Sequence, residues 1–126
     1  MNLTIHRGTH EIGGSCVELA TENTRILIDI GLPLVDEEGQ SFNLGDYLKL
    51  TKAELIEKKI AKDIPGLYKE DNDNKPPDAI IISHSHPDHY GLLTFVKPQI
   101  PLYLSEGCLE LIKATYYFRG LDPISE

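Results

Sequence analysis

With 126 residues, 40% of them hydrophobic, the chain has room for one small domain with a modest core. Its 20 acidic side chains against 12 basic ones leave a formal net charge of −8, which excludes the basic surface that nucleic-acid binding by these residues alone would need. Met1 to His6 hold no apolar run of signal-peptide length and no segment approaches a membrane span, so a cytoplasmic protein without membrane contact is expected.

Leu3-Thr4-Ile5-His6 alternates as a strand does. Arg7-Gly8 and Gly13-Gly14 then bracket a turn-rich loop. The paired glycines permit positive φ, and such a loop can also let backbone N–H groups approach a phosphate. Ser15 to Leu19 and Arg25 to Ile30 are two further strands around Thr21-Glu22-Asn23-Thr24, a spacing that predicts a hairpin. Asp29 stands near the end of the third strand, just before Gly31 and Pro33. His10 reads as a turn histidine facing water, and His6 as a structural residue on a strand. Cys16 and Cys108, far apart and outside any Cys-x-x-Cys pair, read as free buried thiols.

Residues 34 to 77 are charged and poor in strand signals, and they close on Asp71-Asn72-Asp73-Asn74-Lys75-Pro76-Pro77. This stretch is a helical excursion from the sheet. Inside it Thr51-x-x-Glu54 makes a capping box, Leu55, Ile56 and Ile60 form a narrow apolar stripe, and Asp63-Ile64-Pro65 stops the helix.

Ala79-Ile80-Ile81-Ile82 is an apolar, β-branched run that reads as a buried strand, and it delivers His84-Ser85-His86-Pro87-Asp88-His89 at its C-terminal end. Four metal-ligand side chains fall within six residues. In extended backbone His84 and His86 point the same way, so both imidazoles can face one ion. Pro87 holds His86 extended, and its own φ suits the first turn of a helix, from which Asp88 and His89 emerge re-aimed toward a second ion. Two ions roughly 3.5 to 4 Å apart clamp the attacking and leaving oxygens of a displacement, which makes hydrolysis the natural use of such a cluster. A structural zinc site is closed and cysteine-rich, whereas this cluster mixes histidine with carboxylate.

Pro101-Leu102-Tyr103-Leu104 is a short strand. Ser105 caps a helix that runs to about Phe118, with Leu109, Ile112 and Tyr116 at helical spacing and Arg119-Gly120 as its stop.

Asp29 within Leu27-Ile28-Asp29-Ile30-Gly31, followed by His84-x-His86-x-Asp88-His89 and then a strand and helix, resembles the N-terminal half of a metallo-β-lactamase fold hydrolase. The Glu11-Ile12-Gly13-Gly14-Ser15-Cys16 and Ser83-to-Gly91 contexts are most similar to the ribonuclease J-like, β-CASP branch. The resemblance implies an α/β fold, half of an αββα sandwich, spanning residues 1–126 with the excursion at about 34–77. It implies a zinc site of two ions in the complete domain, with His84 and His86 on the first and Asp88 and His89 on the second. Asp29 then orients the ligand loop by hydrogen bonds. Asp88 both ligates and positions the attacking water, and phosphodiester hydrolysis in RNA is the implied reaction. The family completes this site with a third-motif histidine, a bridging carboxylate and a final histidine, yet no histidine follows His89. The expectation is therefore an incomplete chain, contacting RNA through regions outside it, that associates with the missing half of the domain or with itself. Two alternatives stay open: a metallo-hydrolase of thioester, lactone or β-lactam substrates, and a non-catalytic truncated half-domain.

Overall fold

A computed structural model describes residues 1–42, 44–72 and 74–121. Strands β1 (Asn2–Arg7), β2 (Cys16–Ala20), β3 (Arg25–Ile28), β4 (Ala79–Ile81) and β5 (Leu102–Tyr103) lie in that order across one sheet. The first three pair antiparallel, β1 with β2 across the glycine-rich loop and β2 with β3 across a tight turn. At the expected hairpin the Thr21 N–H donates to the Thr24 carbonyl (2.8 Å), and the Thr21 hydroxyl accepts from the Thr24 N–H (3.1 Å). The last three are parallel and need long crossovers. These carry α1 (Leu44–Tyr47), α2 (Lys52–Glu57), α3 (Pro87–Tyr90) and a 3-10 turn at Leu93–Phe95, while α4 (Glu106–Phe118) follows β5.

The alternation of strand side chains explains where the core sits. Register places Leu27 beside Ile80 and Ile80 beside Leu102, and the first two are 0% and 1% exposed. One residue along, on the opposite face, Ile81 and Tyr103 are 40% and 61% exposed, and Leu3 and Ile5 share that face at 62% and 51%. Among the described residues, the sheet is covered on one side only. Its buried side is packed by Leu55, Ile64, Leu67, Tyr68, Leu92, Ile112 and Tyr116.

Both helix-start signals act as written. Thr51 and Glu54 make the reciprocal capping box of α2, and Ser105 accepts from the Cys108 N–H at the start of α4. The α2 stop differs from expectation. The helix ends at Glu57, before Asp63-Ile64-Pro65, because Lys59 adopts φ 56° and the Ile60 N–H turns back to the Leu55 carbonyl (2.9 Å). This is a Schellman closure with Leu55 and Ile60 both buried, and it carries lysine where glycine is usual. The following residues, 60–68, lie within the charged excursion, yet Ile60, Ile64, Leu67 and Tyr68 are all at most 2% exposed. In α4 the buried residues are Cys108, Ile112 and Tyr116, with Leu109 half-buried, and the helix stops at Gly120 (φ 64°). No helix among the described residues is long and apolar enough to cross a membrane.

Lys59→Gly is expected to stabilise the chain by about 0.5–1 kcal/mol, since relief of left-handed backbone strain outweighs the added chain entropy of glycine. The Lys59–Glu37 ion pair that would be lost is exposed at both ends and contributes little. Urea denaturation reads the change, and a lowered midpoint would show that the ion pair dominates.

Candidate metal centre

The His84–His89 segment is held at the sheet's C-terminal edge mostly by main-chain bonds. His86 is extended (φ −94°, ψ 143°) and precedes Pro87 at the first position of α3, as the fixed proline φ requires. The helix is a single turn. All three carbonyls from 87 to 89 accept bonds from the segments after β1 and β3: Pro87 from the Leu32 N–H (3.0 Å), Asp88 from Ser15 (3.1 Å) and His89 from Ile30 (2.9 Å). The Tyr47 hydroxyl donates to the Gly91 carbonyl behind them (3.2 Å).

Asp29 is 3% exposed and takes φ 62°, a left-handed conformation that aspartate tolerates better than most residues. β3 therefore ends at Ile28, two residues before the expected boundary. The turn aims the carboxylate at the ligand segment, where Oδ1 accepts from the Ser83 N–H and Oδ2 from the Ser83 hydroxyl, each at 2.7 Å. Oδ2 also lies 2.7 Å from His89 Nδ1. A carboxylate only accepts, so Nδ1 carries a proton toward Asp29. His89 Nε2, the ring nitrogen left to serve as a metal ligand, lies 3.3 Å from Asp88 Oδ2.

His84, Asp88 and His89 each offer a ligand atom, and these atoms lie within 4.8 Å of one another. Two imidazoles and a carboxylate at that spacing fit a divalent cation of the zinc type. The His84 and His89 rings are 3.7 Å apart between centroids. His86 stands outside this group, its ring edge-on to His84 at 4.8 Å. His10 is exposed on its loop and also outside the group, while His6 is tied to Glu18 across the β1–β2 pair (3.0 Å).

The other ionisable groups nearby are structural. Burial, with Glu18 and Asp29 adding to it, pushes the Cys16 thiol up to about 12, and burial followed by Asp29 raises Cys108. Both cysteines are free and buried, and neither is a ready thiolate ligand. The buried Arg7 guanidinium donates to Glu11 and to the Ile60 carbonyl, which pins the glycine-rich loop to the end of α2. The hydrogen bond from Arg7 holds the Glu11 carboxyl below the ordinary range against the opposing pull of burial.

Two contributors escaped the sequence reading. Ser83 supplies two of the three bonds to the Asp29 carboxylate, and its only signal was adjacency to the motif. Gly31 gave a signal only through its place two residues after Asp29, since its role depends on a segment far along the chain.

Residues 11–102 match the family described as the metallo-beta-lactamase superfamily. An RNase J-like protein from Methanocaldococcus jannaschii is 32% identical over 95 residues, covering 75% of this chain and 15% of that protein. Transcription termination factor FttA from Methanothermobacter thermautotrophicus is 31% identical over 94 residues, covering 75% of this chain and 12% of that protein. Probable RNase MJ4 from M. jannaschii is 28% identical over 116 residues, covering 90% of this chain and 21% of that protein. The chain thus spans between 12% and 21% of the length of these relatives. A crystal structure of a protein of unknown function from Enterococcus faecalis V583 shares the fold, with a TM-score of 0.72 at 23% identity over 92% of this chain and 28% of that one.

Proposed function

The chain belongs to the metallo-beta-lactamase superfamily, and on that footing we propose that it carries the first half of the metal centre of a phosphodiester hydrolase acting on RNA. The observation that carries this reading is the convergence of His84, Asp88 and His89, with the His89 tautomer set by Asp29. In this reading His84, His86, Asp88 and His89 are the zinc ligands contributed by the chain, His86 turning in beside His84 from its present edge-on position. A divalent ion held there would lower the pKa of water toward about 7 and polarise a phosphoryl oxygen. Asp88 orients the attacking water through its carboxylate, and Asp29 keeps the His89 lone pair directed at the site by holding the ring proton. Two ions want about eight coordination positions, so four donors leave room for ligands from elsewhere as well as for water and substrate.

RNA is the favoured substrate because two of the similar proteins are named as RNases or RNase-like. With a net charge of −8, RNA contact falls to surface outside these residues. The open apolar sheet face belongs to the same reading, as a surface for association with a further sheet or with a second copy.

The test is direct. Mass spectrometry of metals after dialysis should find fewer than two zinc ions held per chain, and His84→Ala and Asp88→Ala should each remove what is bound. Complemented with the rest of the domain, the metal-loaded chain should cleave a labelled RNA in preference to nitrocefin, a thioester or a lactone. That cleavage should vanish in both variants while persisting in His10→Ala. Turnover of nitrocefin or lactone without RNA cleavage would move the substrate to the alternative class, and tight metal binding with no turnover of any of them would favour a non-catalytic half-domain.

A further inference from the structure

A glycine whose missing side chain leaves room for the ligand turn lies behind the metal centre, in the segment after β3. An ideal Cβ on Gly31 would fall 1.8 Å from the Asp88 carbonyl oxygen and 2.6 Å from its carbon, a hard overlap with main chain. No flexible side-chain end is there to move aside. The Gly31 backbone is not in the left-handed region, so close approach alone explains the glycine. The same crossing carries the bonds that seat α3, because Gly31 N–H donates to the Ser15 carbonyl (2.9 Å) while its neighbours Ile30 and Leu32 donate to His89 and Pro87. Gly13 approaches Asp88 from the next segment, and a Cβ there would sit 3.0 Å from Asp88 Cβ and 2.9 Å from Leu34 Cγ at φ 84°.

We propose that Gly31, assisted by Gly13, is a positioning residue that sets the depth of the 87–90 turn and thereby the placement of Asp88 and His89 against His84 and Asp29. The inference rests on the metal-site reading for its consequence, though not for its geometry. His84 leaves β4 on a separate path, before the turn begins. A shift of the turn therefore changes the distances inside the His84, Asp88 and His89 group instead of moving the group as one body. The same shift lengthens the 2.7 Å His89–Asp29 contact and loosens the imidazole tautomer. Effects on ligand orientation of this kind typically weaken metal binding about 10- to 100-fold.

The experiment compares the chain with Gly31→Ala, Gly13→Ala and Gly107→Ala, the last adding a Cβ that meets nothing within 4 Å. Co(II) and Zn(II) affinities are read by absorption and by competition with a chromophoric chelator. Histidine side-chain 1H–15N correlations of the metal-free protein report the His89 tautomer, and circular dichroism reports folding. Gly31→Ala should keep its secondary structure, bind Co(II) at least tenfold more weakly with an altered visible spectrum, and lose the Nδ1–H signature of His89. Gly13→Ala should show a smaller loss in the same direction, and Gly107→Ala none. If Gly31→Ala does not fold, Gly13→Ala decides, and parental affinity and an unchanged His89 signal there would overturn the proposal. A folded Gly31→Ala with parental affinity and spectrum would overturn it outright. Should Co(II) binding prove insensitive to His84→Ala, the metal reading fails by itself. The His89 signal in the metal-free variants then still decides whether Gly31 positions the turn.

Discussion

Replacing Asp29 by asparagine is expected to leave the chain folded while weakening zinc binding about 10- to 100-fold, the range found when groups behind a metal ligand are altered. Asparagine tolerates the left-handed backbone at φ 62° and can still accept the Ser83 N–H bond. Its amide nitrogen, however, donates where the carboxylate accepted. Facing that N–H, His89 is favoured as the tautomer that carries its proton on Nε2, the nitrogen 3.3 Å from Asp88 that the centre needs as a lone pair. Asp29→Ala adds damage to the fold itself. It strands the Ser83 N–H and places alanine in the left-handed region, terms of about 1–3 kcal/mol and about 1–2 kcal/mol respectively. Against the stability of about 5–15 kcal/mol typical of domains, that is a large fraction. Chelator competition and thermal melting separate the two variants: Asp29→Asn should move the first far more than the second, and Asp29→Ala should move both. Parental zinc affinity in Asp29→Asn would show that Asp29 does not set the His89 tautomer.

The second large effect concerns the uncovered sheet face. The chain is expected to self-associate with increasing concentration and to bind a hydrophobic dye in its native state. Leu3, Ile5, Ile81 and Tyr103 line that face at 62%, 51%, 40% and 61% exposure, with Val17, Leu19, Ile26 and Ile28 half-buried between them. No charged residue interrupts these rows. Contiguous apolar area beyond a few hundred Å² marks an interface or an aggregation hazard, and the unpaired edges of β1 and β5 add to it. Leu3→Lys with Ile5→Lys should shift sedimentation toward the monomer and reduce dye binding. The change in stability should stay within about 0.5 kcal/mol for each, because both side chains are already in water. A parent chain that is monodisperse at all concentrations and binds no dye would show that this face needs no partner.

The ligand motif, the strand that delivers it and the proline that turns it were legible in the sequence because each is a local matter. Period-two alternation, the fixed φ of Pro87, the Thr51–Glu54 box and the Ser105 cap all act within a few residues of themselves. Even so, the one-turn length of α3 and the early end of β3 were not local. Asp29 leaves the strand to meet Ser83 and His89, 54 and 60 residues away, and no nearest-neighbour preference records that partner. The stop of α2 at Lys59 went unread because a lysine at positive φ contradicts its own propensity, and it is held there by the burial of Leu55 and Ile60. Gly31 reads as an ordinary residue following a strand, whereas in the fold its Cβ would lie 1.8 Å from the Asp88 carbonyl oxygen. A sheet with one face left open was already implied by the half-sandwich expectation, but which face that is was not written in the strands, whose apolar residues suit burial on both faces. Which face is covered depends on where residues 60–68 and α4 pack, and that choice is made by long-range burial of apolar area, which has no sequence period of its own.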